Sequence, residues 1–143
     1  MSLKQLTVFV QNHQGSLVAI TDTLAKHNVN IRALSIADTE DFGILRLIVS
    51  DTALANKTLT EEGYLLKTTD VVGVKIGDAP GKLSEALKVL DDNAVNMEYL
   101  YAFMTRTEKH AYMVMRVADN AKAEAALENS GFHIITDKDV EKL

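Results

Sequence analysis

The sequence predicts an α+β protein made of two copies of one βαββαβ unit, each with an antiparallel sheet and both helices on one face. The first observation behind this is an internal repeat. Gly15 and Gly81, Leu17 and Leu83, Leu24 and Leu90, Val29 and Val95, and Asn30 and Asn96 are each 66 residues apart. Further on the offset becomes 68, joining Asp51 to Asp119, Ala53 to Ala121, Leu59 to Leu127, Gly63 to Gly131 and Thr68 to Thr136. The second observation is that hydropathy switches between periods of 2 and 3.6 residues in the same order in both halves. The third is composition. Of 143 residues 47% are hydrophobic, with one proline and seven glycines, which supplies a core and leaves little for a disordered linker. The domains expected are residues 1–70 and 71–143.

In chain order, Leu6 to Val10 alternates apolar and mixed residues between polar flanks and predicts a strand. Gln14-Gly15-Ser16 then turns the chain. Leu17, Ile20 and Leu24 fall on one stripe, so Ser16 to His27 predicts an amphipathic helix. Val29 to Ile36 returns to alternation as a second strand. Asp38 to Gly43 forms a polar turn, and Ile44 to Val49 closes a hairpin as the third strand. Asp51 stands where an N-cap carboxylate accepts an orphan amide, and Gly63 where a left-handed residue ends a helix. Tyr64 to Thr68 supplies a fourth strand. The second unit repeats the order: strand Val72 to Ile76, helix Lys82 to Asp92, strand Val95 to Ala102, strand Tyr112 to Val117, a helix after Asp119, and strand His133 to Thr136. Thr105 to His110 carries the two extra residues, in a turn where insertion costs least. The charged tail Asp137 to Leu143 is expected to fray.

Such a unit covers one sheet face with helices and leaves the other bare. Strand three puts apolar residues on both faces, Ile44 and Ile48 on one and Leu45, Leu47 and Val49 on the other. Association of units within the chain or in a homodimer is therefore expected. Met97, Met104, Met113 and Met115, with Tyr99, Tyr101 and Tyr112, read as hydrophobic packing, and their alternation suggests a sheet face buried between units.

Charge and residue usage exclude several function classes. Fifteen basic against 20 acidic residues give a net charge of −5 and no basic patch, so nucleic acid is not an expected partner. The absence of cysteine removes disulfides, thiolate metal sites and thiol nucleophiles, and fits a reducing compartment. No signal peptide or membrane-length apolar run is present, so a cytoplasmic protein without a membrane partner is expected. No cofactor is implied. For catalysis the nearest arrangement is Ser16 with His13, three residues apart and without an orienting acid.

The residues that carry function begin at the strand-to-helix corners. Asp78-Ala79-Pro80-Gly81-Lys82-Leu83, followed by Ala94-Val95-Asn96-Met97, resembles the ACT domain, a small-molecule sensor attached to many enzymes of amino-acid metabolism. Ala94 and Met97 replace the Gly and Ile of the family pattern. The first unit keeps Gly15, Leu17 and Val29-Asn30-Ile31 but has His13-Gln14 where the family has x-Pro, which implies either a different ligand contact or a unit that no longer binds. The resemblance covers about residues 5 to 137 and implies a free-standing pair of ferredoxin-like ACT units.

In that family the effector is held where the first loop of one unit faces strand two of its neighbour. The resemblance thus implies a ligand site of Gln11, Asn12, His13, Gln14, Gly15, Ser16 and Leu17 with Asn30 and Ile31. Its twin comprises Asp78, Ala79, Pro80, Gly81, Lys82 and Leu83 with Asn96 and Met97. The chemistry is consistent with this, because glycine allows close approach of a ligand and first-turn helix amides suit a carboxylate. Asn30 and Asn96 equally suit plain turn geometry. The expected function is a non-catalytic regulatory protein that binds a small amino acid or related metabolite and signals to a metabolic enzyme partner. The alternative is a structural or regulatory subunit that docks through its sheet without binding a metabolite.

Overall fold

The computed structural model describes residues 2–11, 13–38, 42–105, 107 and 109–143. Asn12, the turn residues Thr39, Glu40 and Asp41, and Arg106 and Glu108 of the longer hairpin lie outside the described residues. The elements run β1 (Leu3–Gln11), α1 (Ser16–Lys26), β2 (Ile31–Asp38), β3 (Phe42–Val49), α2 (Thr52–Glu61), β4 (Leu65–Gly77), α3 (Lys82–Asp92), β5 (Met97–Ala102), β6 (His110–Val117), α4 (Asn120–Asn129), β7 (His133–Ile135) and α5 (Asp137–Lys142). This is the expected α+β architecture of two ferredoxin-like units.

Two features differ from expectation. Tyr64 to Thr68 and Val72 to Ile76 are not separate strands, because the backbone stays extended through Thr69-Asp70-Val71 and β4 is continuous. The tail does not fray: Asp137 to Lys142 is helical. Its cap, Thr136, accepts a bond from the Asp139 amide at 3.2 Å, while the Asp139 carboxylate accepts one from the Thr136 amide at 2.9 Å.

The chain forms two compact units, Lys4–Thr69 and a second made of Asp70–Leu143 with Ser2 and Leu3. In the first, the strand order is β2-β3-β1-β4, with β3 antiparallel to both neighbours. Leu6, Val8 and Val10 project from β1 to one side and meet Ile20 and Leu24 of α1 and Ala55 and Leu59 of α2. The period-2 and period-3.6 stripes seen in the sequence are thus two sides of one core. In the second, the order is β5-β6-β4-β7, and Val72, Val74 and Ile76 play the same part against Ala86, Leu90, Ala123 and Leu127. Met113 and Met115 belong to this core beneath the helices, whereas Met104 is exposed, so the methionines are not a shared stripe on the opposite face.

Leu3 is fully buried, and it lies against the β4–β7 pair, with its Cδ2 3.0 Å from where a Cβ on Gly73 would stand. Ser2 donates to Glu124 Oε1 at 3.1 Å and accepts from Asn120 Nδ2 at 3.3 Å. The first described residues therefore belong to the second unit.

Candidate functional site

Both units turn from first strand to first helix in the same way. The Ser16 amide donates to His13 O at 3.3 Å, and the Lys82 amide to Ala79 O at 3.2 Å. Gly15 and Gly81 follow with φ of 86° and 87° and serve as N-caps. A Cβ at either would meet nothing within 4 Å, so it is the left-handed backbone that requires glycine there, not crowding. Having no side chain, these caps leave the first-turn amides of α1 and α3 without a side-chain acceptor. The other long helices differ. Asp51 and Asp119 accept from the Leu54 and Lys122 amides at 3.0 and 3.1 Å, so one first-turn amide in each of α2 and α4 has a side-chain acceptor.

Beside each corner lies a cleft. In the first unit a cavity of about 520 Å³ is lined by Phe9, Val10 and Gln11 at the end of β1, His13 to Ser16 and Ala19 at the corner, and Glu62 to Leu65 after α2. In the second, a cavity of about 510 Å³ is lined by Lys75 to Gly77, Lys82, Glu85, His110 and Ser130 to His133. The two correspond through the repeat, since Gly63 and Gly131 follow the second helix of each unit and Phe9 and Lys75 hold the same strand position. The corner thus meets the turn that leaves α2 or α4, a participant the sequence analysis did not assign to the site. The repeated glycine at 63 and 131 was the available signal, read there only as a helix stop.

Of the expected site residues, the first cleft gathers Gln11, His13, Gln14, Gly15 and Ser16. Leu17 is on the exposed side of α1 and does not line it. In the second cleft only Lys82 of the expected set is present. Asp78, Ala79, Pro80 and Gly81 are exposed beyond it, with the Asp78 amide donating to Lys109 O at 2.9 Å, while Leu83 packs on the core.

Asn30 and Asn96 lie elsewhere in their own units. Register sets Gln11 opposite Phe42 but Ile31 opposite Val49, which puts Asn30 at the far end of the sheet from the corner. Its backbone is bracketed by Ser50, donating to Ser50 Oγ and accepting from the Ser50 amide, both at 2.9 Å. Asn96 O likewise accepts from the Ala118 amide at 3.1 Å, and Ile31 and Met97 pack on the two cores.

His13 and Ser16 touch, with Nδ1 3.0 Å from Oγ, and Nδ1 is also 3.0 Å from Gln14 O. Both side chains belong to the open corner, and among the described residues no carboxylate orients the ring. His133 lies 3.4 Å from Asp139, whose carboxyl is held below the usual range mainly by the Thr136 amide, against a smaller opposing effect of burial. Among the described residues no group of three His, Asp or Glu could hold a metal ion, and no helix is long and apolar enough to cross a membrane.

The chain is similar to protein BT0572 from Bacteroides thetaiotaomicron, with 37% identity, 100% of this chain and 98% of that one covered, and a TM-score of 0.93. The regulatory subunit of aspartate kinase from Thermus thermophilus, in a ligand-free form, shares the fold at 14% identity, with 91% of each chain covered and a TM-score of 0.66. Aspartate kinase from Synechocystis does so at 19% identity and a TM-score of 0.59, over 90% of this chain and 25% of that one. No curated protein sequence matches. The sequence model of the ACT domain pair matches residues 1–143, and this chain belongs to that family.

Proposed function

We propose that the protein is a non-catalytic sensor in which the first unit's cleft binds a small neutral amino acid. The observation that carries this is the pairing, in one cavity with room for an amino acid, of polar side chains at the strand-to-helix corner, Gln14 and Ser16 among them, and a carboxylate, Glu62. The Gln11, Gln14 and Ser16 side chains at the corner suit the ligand's carboxylate, and Glu62 suits its ammonium group. Phe9, Tyr64 and Leu65 then offer an apolar wall to a branched or aromatic side chain. Signalling follows from linkage: a ligand that binds one arrangement of the protein better favours that arrangement, and a partner preferring it is recruited or released. The fold shared with regulatory subunits of aspartate kinase supports an enzyme of amino-acid metabolism as that partner, and the exposed Phe42, on the sheet face away from the helices, supports a homodimer.

The test is a thermal-shift screen of the full chain against the twenty amino acids, followed by calorimetry. A ligand at 100 times its Kd stabilises the native state by about 2.7 kcal/mol. A neutral branched or aromatic amino acid is expected to raise the midpoint, and Glu62→Gln to weaken its binding roughly tenfold. Silence toward every amino acid, in a sample shown to be folded by circular dichroism, overturns the proposal. The same Phe42 also favours a second reading, docking onto an enzyme through the sheet without any metabolite. Phe42→Lys would then abolish the association while the clefts stay silent.

A further inference from the structure

The two clefts share backbone and size but not chemistry. We infer that the second unit's cleft has diverged to take a small di-acid that carries no amino group, so that one chain reads two classes of metabolite. The inference rests on the reading that these corners bind metabolites, and it extends that reading to a site with its own specificity.

Equivalent positions change mostly toward base, and the one acid gained, Glu85 in place of Ala19, is paired with Lys82 at 3.5 Å. Phe9 of the first cleft is replaced by Lys75, Ser16 by Lys82 and Leu65 by His133, all lining the second. Glu62, which suits an ammonium group in the first cleft, is replaced by Ser130. Counting only Lys and Glu, the first cleft carries one negative charge and the second a net positive one. An amino acid finds no anionic partner at the position of Ser130, and the Glu85 carboxylate is paired with Lys82, whereas a second acidic group finds Lys75.

The basic residues stand together because the sheet register puts them there. On β4, Lys75 is directly opposite His133 of β7 on one side and Tyr112 of β6 on the other, and Gly77 is opposite His110. Directly paired residues, and residues two apart, share a face, so Lys75, His110 and His133 are on one side of the sheet end. Lys82 reaches them from α3 across Gly77. A Cβ there would come within 2.9 Å of Lys82 Cγ and 3.1 Å of its Cδ. The glycine at 77, where the first unit has Gln11, is what lets the lysine stem lie over the strand. Lys82 pairs with Glu85 at 3.5 Å on exposed surface, a contact weak enough for an anionic ligand to exchange. Among the described residues Lys75 has no ion-pair partner at all.

Two negative charges in one small molecule can sit on two carboxylates or on one phosphate monoester, and both are tested. Calorimetry of the full chain with succinate and with glycerol 3-phosphate is expected to show one site for at least one of them. Lys75→Phe, which installs the residue of the first unit, should weaken that binding roughly tenfold. Lys75→Arg should retain it, and Lys88→Gln, which removes a charge from α3 outside the cleft, should leave it unchanged. Gly77→Gln should weaken it by displacing Lys82, with circular dichroism as the check on folding. Failure of both di-acids to bind, or equal binding to the wild type and Lys75→Phe, overturns the inference. If a neutral amino acid still binds in either case, the proposed function of the first unit stands; if nothing binds, both fall.

Discussion

Ala94 is held at φ 55° and Asn28, its partner in the repeat, at φ 57°. Both occupy the left-handed position just past a helix. Asparagine tolerates that backbone through its short polar side chain, but alanine carries a Cβ penalty of about 1 kcal/mol with no such return. Ala94→Gly is therefore expected to stabilise the protein by about 0.5–1 kcal/mol, read as a higher urea midpoint at unchanged slope. This was partly legible in the sequence, since Ala94 stands where the family motif has glycine. The role of Gly77 was not, because its reason is a lysine stem five residues on, and only the fold brings the two together. Asn30 and Asn96 show the converse: the motif flags them, yet within one unit the register carries them to the end of the sheet opposite the cleft.

At the scale of elements, the four long helices end alike. The amide after each left-handed residue returns to the carbonyl five residues back, Val29 to Leu24, Tyr64 to Leu59, Val95 to Leu90 and Phe132 to Leu127, at 2.9 to 3.1 Å. Caps and stops of this kind depend on near neighbours in sequence, which is why most helix boundaries could be read directly. The tail was misread although its signal was local too. Thr136-x-x-Asp139 is a capping-box pattern, and the buried Ile135 and Val140 flank it at hydrophobic-staple positions. The many charges of that segment outweighed the pattern. Asp139 makes the helix sensitive to acid. Its carboxyl titrates below its ordinary value of 3.8, so its stabilising contribution is complete above that value and is lost as pH falls through the lowered one. Amide exchange in α5 should accelerate on acidification below about pH 4 beyond the intrinsic pH dependence of exchange, and Asp139→Asn should remove that excess. The continuous β4 escaped sequence reading for a different reason. Asp70 looks like a break, but an extended backbone accepts a polar residue wherever it faces solvent, and Asp70 is exposed.

For the whole molecule, the repeat was written plainly enough in the sequence to give two units, but not which unit owns the first residues. Leu3 is 1% exposed and contacts the β4–β7 region of the second unit. Leu3→Ala is expected to cost about 2–4 kcal/mol. Exchange measured residue by residue should show the loss concentrated in the amides of β7 and α4 rather than in α1 and α2. An even loss across both units would mean that they unfold as one.

The burial of Leu3 also bears on how such a chain can be made and altered. In sequence the first unit is an insertion, entered just after a residue that the second unit needs and left just before that unit resumes. During synthesis the earliest piece of the second unit must wait, unsatisfied, until the strand ending at Ile135 has been added. A fragment from Asp70 onward would emerge with an open apolar slot beside Gly73. The two halves therefore do not behave as interchangeable cassettes: a graft that exchanges the second half has to carry Ser2 and Leu3 with it, or supply another side chain to fill their place.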